Sequence, residues 1–496
     1  MKKTTAILWM TAFTIFGIWL GLQFRDPGTT RTSKLEQFFN YLETEYVDTL
    51  DVNGLVERAM EVILGELDPH STYIPADEGE LMAQRMQGNF QGIGIEFIVH
   101  KDTLVVLRAL PKGPADKAGL EGGDRIFSVD GDTLVGPERS SSEFTAAIKG
   151  EAGSAVLLGI KRSGGSVFFT EVTRGVIPVE SVSIAQMDGS IGYVRLERFA
   201  ETTHEEIIAA LDRLSEKGMR ALILDLRDNP GGFLHEATAV ADEFLGDSMD
   251  IVTTKYRDGS TYTATAQSGE RFEDLPVHIL INANSASASE VLAGALQDHD
   301  RAVVYGQTSF GKGLVQEDKI LSDGSKVRLT VANYYTPSGR SIQRPYEGAL
   351  TPGEMEGTVF YSDAGRLLHS QGGIEPDVNL QNDSTQGYFW GFGFGTMDAF
   401  AFEKVDRERS FFSSFEEEVF VQDFAVSDML LLDFLNYGGY GLGVEDLSSG
   451  DQLELRRYLK ALIAKNIWGF ESYQRILLES DSVYQQTKQA VLRTIQ

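Results

Sequence analysis

From Gly192 onward the chain alternates apolar β-type runs with amphipathic stretches: GYVRLERF, ALILDLR and VHILINAN are each followed by a segment with helical spacing. Strands alternating with amphipathic helices are the pattern of an α/β core, and this part of the chain predicts one. At 496 residues the chain can bury more than one core. Cysteine is absent, which excludes a disulfide scaffold, thiolate metal ligands and a cysteine nucleophile. Lys and Arg number 44 against 73 Asp and Glu, and the resulting net charge of −29 repels phosphate backbones and argues against nucleic acid as a partner.

Upstream, Thr4 to Phe24 carries no charge and has about the length of a membrane-crossing helix. Lys2 and Lys3 before it favour a cytoplasmic amino terminus and an exported body. A cleaved signal peptide is the rival reading, but the stretch exceeds a usual h-region and no A-x-A-like site follows. Residues 1–25 are therefore read as a transmembrane signal anchor and 26–87 as a helical region. In the latter, Ser33 and Glu36 form a capping-box pattern, and Leu35, Phe38, Phe39, Leu42 and Tyr46 recur at helical spacing. Residues 88–176 read as a β-rich module, 177–380 as the α/β core, and 381–496 as a mainly helical accessory domain whose clearest helices are Asp451–Lys465 and Ser472–Leu492. The fold class is a multidomain mixture of α+β and α/β units.

Two segments suggest nucleophilic chemistry. VHILINANSASASEVLAGALQDHD reads as a buried strand, a small-residue turn and a helix with Val291, Leu292 and Leu296 on one stripe. Ser287 then stands at a helix entrance among unpaired N–H groups, with alanines that let a carbonyl approach. The G-x-S-x-G pattern of α/β-hydrolases is missing, and Ser287-x-x-Glu290 taken alone reads first as a plain capping box. Downstream, YGQTSFGKGLVQ places Lys312 between two glycines. A neutral lysine can serve a serine as base if burial lowers its pKa by about 2–3 units from about 10.4. Gly306-x-x-x-x-Gly311-Lys312 also matches a phosphate loop up to its last position, where Gly313 replaces the magnesium-holding Ser or Thr. The residues that follow alternate as strands, whereas a phosphate loop opens a helix, so nucleotide hydrolysis is disfavoured.

A second turn, Asn229-Pro230-Gly231-Gly232, lies between a strand and an amphipathic helix. Its N–H groups could hold an oxyanion, although an ordinary connection uses the same residues. The seven histidines show no H-E-x-x-H and no clustered ligand spacing, so no metal site is expected. In the β-rich module, the turn Gly92-Ile93-Gly94-Ile95 offers N–H groups suited to a terminal carboxylate, beside a strand edge open to β-augmentation.

In their order along the chain, ELDPHSTY, GIGIEF, GPADKAGLEGGDRI, LDLRDNPGG, NSASASEVLAGALQDHDRA, GQTSFGKGLVQ, YYTPSGRSIQ and GIEPDV resemble the landmarks of the carboxyl-terminal processing peptidases, or tail-specific proteases, over roughly Leu35 to Val378. The resemblance implies a PDZ domain at 88–176 joined to a serine endopeptidase core that needs no cofactor or metal. It implies that Ser287 is the nucleophile, Lys312 the general base and Gln316 the residue that positions the lysine. The oxyanion would be held by N–H groups of Ala288 and of Gly231 or Gly232, and a substrate's carboxyl terminus by Gly92, Ile93, Gly94 and Ile95. The partners implied are unstructured tails of exported proteins, an activating protein, and a second copy docking through the amino-terminal helices. With the Thr4–Phe24 stretch as anchor, the location expected is a bacterial inner membrane, crossed once, with the catalytic body in the periplasm. The alternative is a catalytically silent or partner-activated PDZ scaffold. Two stretches depart from the family pattern: an insertion from about Tyr346 to Ser370, readable as a flap or an added hairpin, and everything after Val378.

Overall fold

The computed structural model describes residues 32–495 apart from 101, 135–140, 163–164, 268–270, 347–357, 371 and 382–391. The Thr4–Phe24 stretch read as a membrane anchor lies outside the described residues, and among those described no helix is long and apolar enough to cross a membrane.

The alternating segment forms a six-stranded sheet in the order Val182–Asp188, Ile191–Leu196, Ala221–Asp225, Val277–Ile281, Ala302–Gly306, Val378–Asn379. The first pair is antiparallel and the rest are parallel. Ala221–Asp225 and Val277–Ile281 are buried at every position, which is why they read as nearly unbroken apolar runs. Their side chains alternate between two cores. Leu222, Leu224 and Ile279 face the helices Thr203–Glu216, Leu234–Asp242 and Ala288–Asp298 through Leu211, Val240 and Leu292. Ile223 and Leu280 face the opposite way, onto Val483, Tyr484 and Val491 of the carboxyl-terminal helix Ser482–Thr494.

A second, antiparallel sheet centres on Lys326–Tyr335, which pairs with Leu314–Ile320, Asp250–Tyr256 and Thr72–Ile74. The last strand departs from the helical character expected of 26–87. Helices Thr32–Glu45, Val52–Gly65 and Ala76–Met86 are present there, but Tyr73 and Ile74 are buried by pairing with a strand far along the chain.

The β-rich module leaves and rejoins the core through a two-stranded stem, Asn89–Gly92 against Gly175–Pro178. Beyond the stem lies an antiparallel sheet in the order Ile95–His100, Thr103–Ala109, Arg125–Val129, Ala155–Lys161, Val167–Thr173, with its own core around Leu104, Val106, Ile126, Phe144 and Leu158.

The described part of the insertion is a hairpin, Phe360–Tyr361 against Leu367–Leu368. Arg366 meets Asp300 at 3.0 Å and Asp363 meets His299 at 2.7 Å. The hairpin therefore docks at the carboxyl end of helix Ala288–Asp298, about 16 Å along the helix from Ser287. The carboxyl-terminal region is helical, with Phe394–Arg407, Asp428–Tyr437 and Ser449–Trp468 around Met397, Phe400, Phe434, Leu459 and Leu462. The single helix expected over Ser472–Leu492 is two, Phe470–Leu478 and Ser482–Thr494. Asp481 ends the continuity by accepting the Tyr484 N–H at 3.0 Å as the cap of the second.

Candidate active site

Strand Val277–Ile281 ends in a loop of small residues that is stitched to the neighbouring turn. Ser285 donates its hydroxyl to Leu226 O at 2.8 Å, and Asn229 O accepts both the Ala286 N–H and the Ser289 hydroxyl at 3.0 Å. Ser285 and Ser289 are fully buried, so no larger side chain fits. The loop delivers Ser287 to the helix entrance with φ 56° and ψ −113°. Its φ is that of a left-handed residue while its ψ lies outside the left-handed helical well, a combination costly for any residue with a Cβ. A strained serine on a sharp strand-to-helix turn has the geometry of a nucleophile elbow without the G-x-S-x-G sequence.

Glu290 joins this turn to the lysine loop. Its carboxylate is 1% exposed. Oε2 accepts the Ser287 N–H and the Lys312 N–H, both at 2.8 Å. Oε1 accepts the Gly311 N–H at 2.7 Å and the Ser309 hydroxyl at 2.5 Å. Burial pushes the Glu290 carboxyl upward in pKa, while the four donors favour its ionised form. Since one oxygen accepts from both N–H groups, the main chains of Ser287 and Lys312 are held beside each other. Gly311 has φ 89°, and a Cβ there would meet the backbone of Gly372 at 2.8 Å, so the lysine loop packs with no room for a side chain.

The Lys312 side chain is partly buried, and its Nζ donates to Gln316 Oε1 at 2.7 Å. Gln316 lies on the adjoining strand and in turn donates through Nε2 to His70 O. The His70 loop is held by Asp68, which accepts the N–H groups of His70 and Ser71 at 2.8 Å. Burial lowers the Lys312 pKa, as does the charge of Arg328, against the opposing carboxylates of Asp68 and Glu290.

Of the glycine pair, Gly231 packs against the serine and Gly232 against the backbone of Phe199. Gly231 has φ 94°, and a Cβ on it would come within 2.6 Å of Ala286 O and 2.9 Å of Ser287 Cβ. Its N–H is engaged by Asn229 Oδ1 at 2.9 Å. Among the described residues, the N–H groups of Gly232 and Ala288 have no acceptor.

The turn Gly92-Ile93-Gly94-Ile95 lies at some remove from this centre but is joined to it. A cavity of about 930 Å³ is lined by Ile93, Gly94, Phe90 and Ile148 at one end and by Pro230 and Gly231 at the other. The N–H groups of Ile93 and Gly94 have no acceptor among the described residues, and Ile95–His100 is an edge strand of its sheet. Among the described residues one grouping could hold a metal, namely Glu201, His235 and Glu236, with ligand atoms within 4.8 Å of one another. Glu201 and His235 are solvent-exposed and already paired at 3.0 Å.

In the sequence Glu290 reads only as a cap, Asn229 only as part of the glycine turn, and Asp68 and His70 carry no role of their own. The available signal for Glu290 is an acidic residue within an otherwise small and apolar helix, which leaves a buried charge to be explained.

Residues 190–352 match the model of peptidase family S41, residues 105–162 that of the PDZ domain, and residues 393–469 a family of unknown function, DUF8443. The carboxy-terminal-processing protease of Bartonella bacilliformis is 37% identical over 316 residues, covering 63% of this chain and 72% of that protein. The carboxy-terminal processing protease CtpA of Bacillus subtilis is 32% identical over 326 residues, covering 66% and 69%. Of solved structures, a photosystem II D1 C-terminal processing protease aligns over 69% of this chain and 85% of its own, with 29% identity and a TM-score of 0.37.

Proposed function

Since this chain belongs to the carboxy-terminal processing proteases of peptidase family S41 and carries their PDZ domain, we propose that it cleaves unstructured carboxyl-terminal tails of proteins through an acyl-enzyme on Ser287. The observation that carries the reading is the shared Glu290 oxygen, which fixes the backbones of Ser287 and Lys312 together.

Neutral Lys312 takes the Ser287 hydroxyl proton as the oxygen attacks a peptide carbonyl, and gives it to the departing amine. Water, deprotonated by the same amine, then hydrolyses the ester and returns Ser287. Gln316 holds Nζ in place by accepting a hydrogen bond from it at Oε1. The developing oxyanion accepts from the N–H groups of Gly232 and Ala288; the Gly231 N–H is already committed to Asn229. A tail's carboxylate binds the N–H groups of Ile93 and Gly94, and its last residues extend along the edge strand Ile95–His100. The connecting cavity leads the tail toward Pro230 and Gly231. The neutral-amine requirement matches the downward pKa shift of Lys312.

The uncharged amino-terminal stretch supports an exported, membrane-anchored enzyme, so the tails proposed are those of periplasmic proteins. Exposed Leu35, Phe38 and Tyr41 on the first described helix support the expectation of a homodimer. An activating partner is retained as part of the proposal, and a silent scaffold is its alternative.

The test is digestion of an unstructured reporter with a free apolar carboxyl terminus by the exported body, beside Ser287→Ala, Lys312→Ala and a reporter with an amidated terminus. Cleavage lost in both variants and weakened by amidation is the expected result. Binding of the free tail without cleavage under any condition favours the scaffold, and cleavage that survives Ser287→Ala refutes the mechanism.

A further inference from the structure

The strand Thr103–Ala109 is apolar on both faces. Leu104 and Val106 point into the PDZ core, whereas Val105 and Leu107 are 0% and 8% exposed without belonging to it. An antiparallel sheet with both faces dry needs a partner on its back. The partner is the carboxyl-terminal helical region. Phe402 packs on Val105 and Leu107, and its ring lies 5.0 Å from that of His100. Arg125 pairs with Asp406 at 2.6 Å, and Arg108 donates to Trp468 O at 2.9 Å. Arg409 lies across Gly122 so closely that a Cβ there would stand 2.5 Å from its Nη1.

The same end of the chain is anchored to the peptidase core. Tyr484 meets Tyr193 edge-on at 5.1 Å and donates to Asp188 at 2.7 Å. Asp481 pairs with Arg227 at 2.6 Å, and Gln474 donates to Glu197 at 3.1 Å. Without these contacts the PDZ domain would hang on its two-stranded stem, and domains so tethered move relative to each other by default.

We propose that residues 393–469 are a brace: they clamp the back of the PDZ sheet and, through the helices that follow, fix its tail-binding groove in one orientation over the Ser287 cleft. The inference rests on the PDZ domain delivering tails to that cleft. It assigns a mechanical role to the part of the chain that matches a family of unknown function.

The chain has no cysteine, so paired spin labels can be placed without background. Labels at Val167→Cys on the PDZ domain and Tyr262→Cys on the core, 57% and 64% exposed, report their separation by electron double resonance. The parent chain gives one narrow distance distribution. Asp406→Arg and, separately, Phe402→Ala broaden it, and adding Arg125→Asp to Asp406→Arg narrows it again. If the docked population falls to about a tenth, kcat/KM on the tail reporter falls about tenfold. A broad distribution in the parent, or a narrow one that survives both variants, overturns the brace whatever the enzyme cuts. Broadening with unchanged kcat/KM overturns its role in delivery. A narrow, variant-sensitive distribution in a parent that cuts nothing upholds the brace and counts against the peptidase reading instead.

Discussion

Replacing Ser287 by glycine should stabilise the protein while abolishing cleavage. At φ 56° and ψ −113°, a residue with a Cβ carries a backbone penalty of about 1–3 kcal/mol. Alanine retains the Cβ and therefore the penalty, so Ser287→Ala removes the hydroxyl at nearly constant strain. Glycine removes the strain but gains freedom in the unfolded chain, which costs about 0.5–1 kcal/mol. The net expectation is that Ser287→Gly exceeds Ser287→Ala in stability by about 1 kcal/mol. For a cooperative unit of the size of the peptidase core this raises Tm by about 2–4 °C. Urea unfolding of the two inactive variants side by side measures it, with equal slopes required for the midpoints to be compared. A glycine variant no more stable than the alanine variant would show that Ser287 is not strained, and the elbow argument would fall with it.

Lys312→Arg should be inactive, because a guanidinium does not give up its proton near neutral pH. In the parent, kcat/KM should rise with pH through a value below the ordinary 10.5 of lysine and then level off, and a flat profile would exclude an amine base. The linkage has a definite sign: folding lowers this pKa, so the native state binds fewer protons in the window between the lowered value and 10.5, and stability relative to Lys312→Met should rise with pH across it. Glu290→Ala leaves four donors without their acceptor; at about 1–3 kcal/mol for each that stays buried and unpaired, a loss of several kcal/mol is expected in chemical denaturation. Gly231→Ala should lose activity and stability together, because its Cβ would be forced against Ala286 O, and full activity in that variant would refute the placement of the glycine turn.

The parallel core was legible because Ala221–Asp225 and Val277–Ile281 are apolar at almost every position and each is followed by a helix of clear periodicity. The places of Ser287 and Lys312 followed from turns of small residues, whereas the roles proposed for them rest on the order of the motifs. What Glu290 does was hidden by its own spacing, since three residues after a serine is where a capping box would put it. Thr72–Ile74 could not be foreseen, because three residues carry no readable period and their partner lies more than two hundred residues away. The break at Asp481 is a cap inside a continuous helical pattern, and periodicity alone passes over such a cap. The brace was half visible: LVVLRAL has too many apolar residues for a sheet with one wet face, but nothing in the run says what covers the other.

The lysine's support has a consequence for how the protein is made. Gln316 is held by a carbonyl 246 residues earlier, at His70, and the strand that carries His70's neighbours to the core closes against Arg328, Val327 and Lys326. A chain emerging amino end first therefore exposes its serine before the amine beside it is set. On the proposed mechanism the amine is not set until Lys326–Tyr335 has been made and can pair with Thr72–Ile74, so a growing chain stays unarmed until synthesis has passed Tyr335.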